Sequence, residues 1–180
     1  MAGVWNATQF AADQEVYFTI VTLSPDPDQQ MILALRNAAT GNLDNAYGAA
    51  FTRVPAANDT VALLKNVAGV ATVLSIIDLG GEMVNGDQIG FRVQGSTLSV
   101  WHNGRLIGEL TDTTYAGAGY VGLLLADTTL DDFGGGAAPV VESVLRRRSE
   151  AADSNRPRLP ESDSLPTRTP QCPNEVAGVS

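Results

Sequence analysis

Between residues 87 and 125 the chain alternates apolar and polar positions with a period of two. Ile89, Phe91 and Val93 interleave with Gly90, Arg92 and Gln94. After Gly95-Ser96, Leu98, Val100 and His102 interleave with Ser99, Trp101 and Asn103. Asn103-Gly104 then leads into a run carrying Leu106 and Leu110. Side chains that alternate in this way point to opposite sides of an extended strand, so one side is buried. Asn-Gly supplies two residues that tolerate positive φ, as a two-residue hairpin requires. The segment predicts an antiparallel meander with one covered face.

The same rhythm extends upstream. Residues 16–23 alternate Val16, Phe18 and Ile20 against Tyr17, Thr19 and Val21. A Pro- and Asp-rich turn over residues 24–28 separates them from a second strand at 30–36, in which Met31, Leu33 and Leu35 oppose Ile32 and Ala34. Further strands are predicted at 46–54, 60–67, 72–79, 120–125 and 130–133. Residues 61–74 also fit a helical stripe through Leu63, Leu64, Val67 and Val70, but their β-branched content and Gly69 favour strand. Many short strands separated by turn residues predict an all-β, antiparallel two-sheet sandwich.

Composition changes near Gly134-Gly135-Gly136. Six of the nine prolines fall at or after Pro139, and no aromatic residue does. Such a segment buries too little apolar surface to offset its ordering entropy. Residues 1–138 are therefore expected to form the domain and 139–180 a disordered tail. The net charge of −9 lies in the domain, which holds five basic and fourteen acidic residues, while the tail holds six of each. An acidic surface disfavours nucleic acid, because phosphate contacts require clustered Lys and Arg. Arg146-Arg147-Arg148 is the one basic cluster and reads as a solvated patch. The longest apolar stretch, residues 61–79, is interrupted by Lys65, Asn66 and Asp78, so no membrane span is expected. The opening residues lack a basic region followed by an apolar one. The setting is thus expected to be cytoplasmic, or extracellular if the chain is part of a longer secreted precursor. One cysteine, Cys172, allows no intramolecular disulfide.

The stretch from Asp87 to Gly136 carries a resemblance. Gly95 to Gly104 reads G-x-x-L-x-V-x-x-N-G, residues 112–122 carry Asp112, Tyr115, Gly119 and Gly122, and Asp131-Asp132-Phe133 closes the run. With WNATQFAADQEVYFTIVTL upstream, this resembles the concanavalin A-like (laminin G-like) lectin and glucanase domains, over roughly residues 5–136. The resemblance implies a jelly-roll sandwich and a carbohydrate- or ligand-recognition role. Domains of this kind begin with a further strand beside the closing one. None is evident before Trp5, so an exposed edge is expected next to residues 130–133, open to self-association or to a protein partner.

Candidate chemistry is sparse. Glycosidases need two carboxylates flanking a substrate, and the E-x-D-x-x-E pattern of the related glucanases is absent. Glu82 and Asp87, five apart across a Gly-rich turn, read as a solvated loop. His102 is the sole histidine and builds neither a triad nor a zinc site of the usual kind; it reads as a packed or turn-capping residue. No catalytic residue and no cofactor is assigned. Asp131 and Asp132 are weak candidates for calcium, whose ligands are hard oxygens, against the simpler reading of charges that protect an edge strand. Trp101, Tyr115, Tyr120, Trp5 and Tyr47 can stack on sugar rings while offering a polar tip. The expected ligand site is Trp101 and Tyr120 as platform, with Asn103 and Asp87 giving polar contacts. The function expected is a non-catalytic, lectin-like recognition module for a glycan. A structural or assembly protein is the alternative, and a glycoside-processing enzyme the reading with least support.

Overall fold

The computed structural model describes residues 2–4, 8–26 and 30–138. Trp5 and the expected tail, including Arg146 to Arg148 and Cys172, lie outside the described residues. Eleven strands and no helix occur among the described ones. They are β1 (Ala2–Val4), β2 (Gln14–Thr22), β3 (Gln30–Asn37), β4 (Ala46–Thr52), β5 (Thr60–Val67), β6 (Val70–Asp78), β7 (Gln88–Gln94), β8 (Thr97–His102), β9 (Arg105–Thr111), β10 (Tyr120–Leu125) and β11 (Thr129–Ala137).

The strands form two antiparallel sheets. One has six strands in the order β1-β10-β3-β4-β5-β6, the other five in the order β11-β2-β7-β8-β9. This is the expected sandwich. Its interior is built by the alternation read in the sequence. Val16, Phe18 and Ile20 of β2, Ile89, Phe91 and Val93 of β7, and Leu98 and Val100 of β8 are buried from one sheet. Met31, Leu33 and Leu35 of β3, Tyr47, Ala49 and Phe51 of β4, and Val61 and Leu63 of β5 meet them from the other. Each large side chain removed from water contributes about 1.5–3 kcal/mol.

Residues 61–74 form a hairpin rather than a helix. Ala68 and Gly69 turn it with φ of 50° and 80°, and Val67 pairs with Val70 across the turn. Asn103 and Gly104 do the same between β8 and β9, at φ of 50° and 74°.

The expected gap before Trp5 requires correction. Ala2–Val4 pairs with β10 through Ala2↔Leu124, Gly3↔Leu123 and Val4↔Gly122. Three residues are too few to show a period, so this strand has no alternation to read. It also joins the six-stranded sheet and not the edge beside β11. The closing strand itself runs further than expected, pairing with β2 over Thr129–Ala137 with two register shifts. It remains the last strand of its sheet among the described residues.

One buried cation ties the sandwich together at the end of β3. Arg36 is 3% exposed and has φ of 50°. Its guanidinium donates to the backbone carbonyls of Ala12 (2.7 Å), Gly95 (2.7 Å) and Tyr115. Its amide donates to Oε1 of the buried Gln14 at 2.7 Å. The chain at Gly119 runs so close that a Cβ there would sit 2.6 Å from the Arg36 backbone. Only glycine permits that approach.

Candidate functional site

Register places the site on the outer face of the five-stranded sheet. Tyr17 pairs with Gly90, and Gly90 with Trp101, so the three lie in one row across β2, β7 and β8. All three belong to the phase opposite to the buried Phe18, Ile89 and Val100, and so point away from the core. A Cβ on Gly90 would be 3.6 Å from Tyr17 Cβ and 3.7 Å from Trp101 Cβ. Lacking one, Gly90 forms the floor of a trough with an aromatic side chain on either side. The trough has a volume of about 180 Å³ and is also bordered by Gln88, Gly104, Arg92 and Glu15.

The next row, Glu15↔Arg92↔Ser99, closes one side. Arg92 donates from Nε (3.1 Å) and Nη2 (2.7 Å) to Glu15 Oε2. Its guanidinium carbon lies 5.3 Å from the centre of the Trp101 ring, within range of a cation–π attraction. The indole nitrogen also donates weakly to Ser99 Oγ at 3.4 Å. On the far side, Gly134 of β11 lets the Tyr17 ring lie flat, since a Cβ there would fall 2.6 Å from its Cζ. The partly buried ion pair contributes only about 0–1 kcal/mol to stability. Its effect is to orient Trp101 and to set a donor and an acceptor beside the aromatic walls.

The residues expected to form the site divide into three places. Trp101 lies in this trough. Tyr120 lies in the other sheet, opening β10 opposite Asn37, so it shares no sheet face with Trp101. Asp87 and Asn103 meet each other, but as an internal lock. The Asp87 carboxylate accepts from Asn103 Nδ2 (2.8 Å), from the Val84 amide (2.9 Å) and pairs with His102 Nε2 (2.9 Å). Asn103 Oδ1 in turn accepts from the Gln88 amide at 2.8 Å. Burial alone would raise the Asp87 pKa, but the hydrogen bonds from Asn103, Val84 and His102 outweigh it and hold the carboxyl below its ordinary value. Asp87 is 7% exposed, which corrects the expectation of a solvated loop. His102 ends β8 and caps this turn.

The other aromatic candidates are committed elsewhere. Tyr47 is fully buried and meets Tyr115 edge-on, with ring centres 5.2 Å apart. Its hydroxyl donates to Asp112 at 2.7 Å, and the Tyr115 hydroxyl donates to the Asn66 carbonyl. Asp131 and Asp132 lie exposed on β11, where the Asp131 side chain accepts from the Asp132 amide at 2.8 Å. No group of three or more acidic, His or Cys side chains arranged for a metal occurs among the described residues.

Tyr17, Gly90, Arg92 and Glu15 were not singled out from sequence. A glycine inside an alternating strand is a known mark of close approach by a ligand or backbone. Only the β2–β7–β8 register, which sequence does not supply, puts Tyr17 and Trp101 on either side of it.

The opposite outer face offers different chemistry. Ile32, Ala50, Ala62 and Ile76 form one row across β3 to β6, and Ala34, Gly48, Leu64 and Val73 another. These rows hold no aromatic side chain and no side-chain hydrogen-bonding group.

No family model matches the chain, and no curated protein matches it. Solved structures do. The carbohydrate binding module CBM66 from Bacillus subtilis aligns with a TM-score of 0.57 at 15% identity, over 73% of this chain and 78% of that one. Sheep galectin-11, solved with glycerol, aligns at 0.52 and 13% identity, over 75% and 96%. Congerin II, solved with lactose and MES, aligns at 0.55 and 13% identity, over 75% and 99%. At these identities the likeness is one of fold. The two sheets of this chain form a jelly-roll sandwich of the fold seen in these galectin, congerin and carbohydrate-binding-module structures.

Proposed function

We propose that the chain is a non-catalytic, lectin-like recognition module that binds a neutral glycan in the trough between Tyr17 and Trp101. The observation that carries this reading is the row Tyr17–Gly90–Trp101, two aromatic side chains separated by a floor without a side chain. Sugar rings present a C–H face that packs on aromatic surface, while their hydroxyls take directional hydrogen bonds. Arg92, Glu15 and Gln88 stand at the rim with donors and acceptors of both kinds. The trough contains one carboxylate, Glu15, and it is held by Arg92 at 2.7 Å. Hydrolysis by paired carboxylates would need two facing a substrate. The lectins and the carbohydrate-binding module of like fold support the reading at the level of class. The laminin G-like resemblance of residues 87–136 belongs to the same proposal.

Neutral glycans are favoured because the fourteen acidic residues up to Ala138 face five basic ones. That surplus repels sulfated or carboxylated chains. A glycan array carrying neutral and acidic sets is the test. Binding confined to neutral structures is expected. An array with no binding, or binding only to anionic glycans that vanishes with salt, contradicts the reading.

A further inference from the structure

The domain holds five basic residues, Arg36, Arg53, Lys65, Arg92 and Arg105. Three of them face a carboxylate: Arg36 lies 3.8 Å from Asp13, Lys65 2.8 Å from Asp112 and Arg92 2.7 Å from Glu15. Arg105 is exposed, and water solvates its charge. Arg53 alone is partly buried and forms no ion pair among the described residues. Taking a charge out of water without a counter-charge costs free energy, and the domain has fourteen acidic side chains from which a partner could come. A guanidinium left unneutralised in such a domain is open to a carboxylate from outside the chain.

Arg53 borders a cavity of about 190 Å³ formed by the β2–β3, β4–β5 and β6–β7 connections. The cavity shares no residue with the trough. Asp59 fastens two of these connections together. It is 1% exposed. Its Oδ1 accepts from the Val54 amide at 2.8 Å and its Oδ2 from the Met83 amide at 2.6 Å. Its own amide donates to the Gly81 carbonyl at 3.0 Å. Arg53 Nη1 reaches the third connection and donates to the Ser24 carbonyl at 2.6 Å. Pro25 and Pro55 supply apolar walls on backbone of fixed φ. The cavity is therefore shaped before anything enters it. Glu82 also lines it, exposed and with no hydrogen bond or ion pair among the described residues. Two opposite charges thus border one space without meeting.

We propose that this cavity is a second binding site, independent of the trough, and that it takes a small zwitterion of the α-amino-acid class. The ligand carboxylate sits on Arg53 and its ammonium on Glu82. A guanidinium presents parallel N–H donors that match a carboxylate, and only one of its nitrogens is committed, to Ser24. Glu82 decides against a simple anion, because a carboxylate ligand without a positive group would meet its charge across the cavity. Arg53 decides in the same way against a simple amine. The two prolines offer apolar surface to an aliphatic side chain. Size sets the remaining limit. Sites for drug-sized ligands run to roughly 300–1,000 Å³, and this cavity falls below that range.

An NMR titration of the full chain with three matched probes tests this: L-valine, isovalerate, which lacks the amine, and isobutylamine, which lacks the carboxylate. L-valine is expected to shift the amides of Val54, Asp59 and Met83 in a saturable way and to leave those of Tyr17, Gly90 and Trp101 unmoved. The other two probes should bind about tenfold more weakly or worse. Glu82→Gln changes an exposed side chain with no partner, so the variant should fold as the wild type does. It should weaken L-valine about tenfold and tighten isovalerate, reversing the order of the two. Arg53→Gln should abolish binding of both. No saturable shift with L-valine, equal binding of L-valine and isovalerate by the wild type, or a Glu82→Gln protein that keeps the wild-type order overturns the proposal.

Discussion

Arg36 shows how much one residue can hold. Three backbone carbonyls, from the segments before β2, after β7 and before β10, converge on its guanidinium. Those carbonyls sit where no strand partner reaches them, and buried acceptors without a donor are costly. Arg36→Met fills much of the volume but leaves all three unpaired. The expected loss is about 3 kcal/mol or more, read as a fall in the urea midpoint at unchanged slope. A midpoint within error of the wild type would mean that water replaces the guanidinium and that Arg36 is no clasp. Gly90 works in the opposite sense. Its lack of a side chain contributes little to the fold, and its value is the space it leaves.

At the scale of the elements, the Asp87–His102–Asn103 lock joins the turn before β7 to the β8–β9 hairpin. Asp87→Ala removes the acceptor for Asn103, His102 and the Val84 amide at once. It is expected to cost about 2–4 kcal/mol and to speed exchange of the amides in the 84–88 turn before those of β4 or β5. Uniform loss of protection through both sheets would instead show that the lock is part of the global core. Most strands were legible because Phe18, Leu33, Phe91 and Leu98 alternate with polar neighbours, and the sheet they form buries one phase. β1 was not, because three residues carry no period. The site was only half legible. Trp101 stood out by composition and by its phase, opposite to Leu98 and Val100. Tyr17 has the same phase relative to Phe18, yet it lies 84 positions away in sequence, and its meeting with Trp101 is decided by which strand β2 pairs with. Tyr120, chosen for its stacking ring, opens a strand of the other sheet, and Asn103, in the same hairpin as Trp101, turns its amide to Asp87 instead.

For the whole molecule, pH dependence follows from two carboxylates. Asp112 is held well below the ordinary carboxylate range: burial opposes this, but Lys65, the Thr114 hydroxyl and amide, and Tyr47 all hydrogen-bond the ionised form. Asp87 is lowered in the same sense. A group with a folded pKa below its unfolded value of 3.8 contributes stability that is fully present above that value. The contribution is lost as pH falls through the folded pKa. The melting temperature should therefore change little between neutrality and about pH 5 and drop steeply below. Asp112→Asn should flatten the acid limb. A melting temperature that holds constant into strong acid would remove both carboxylates from the account of stability.

The proposed sugar site is the space above Gly90, between Tyr17 and Trp101. Gly90→Val probes that space alone, because the added Cβ makes only ordinary contacts of 3.6 and 3.7 Å and valine suits a strand better than glycine. The variant should fold and melt at or above the wild-type temperature while its branched side chain fills the trough. Calorimetric titration with the best neutral glycan should then show a loss of about 2 kcal/mol or more, roughly thirtyfold in affinity, matched by Trp101→Ala. Undiminished binding by a well-folded Gly90→Val protein would contradict the assignment and move the site to another surface.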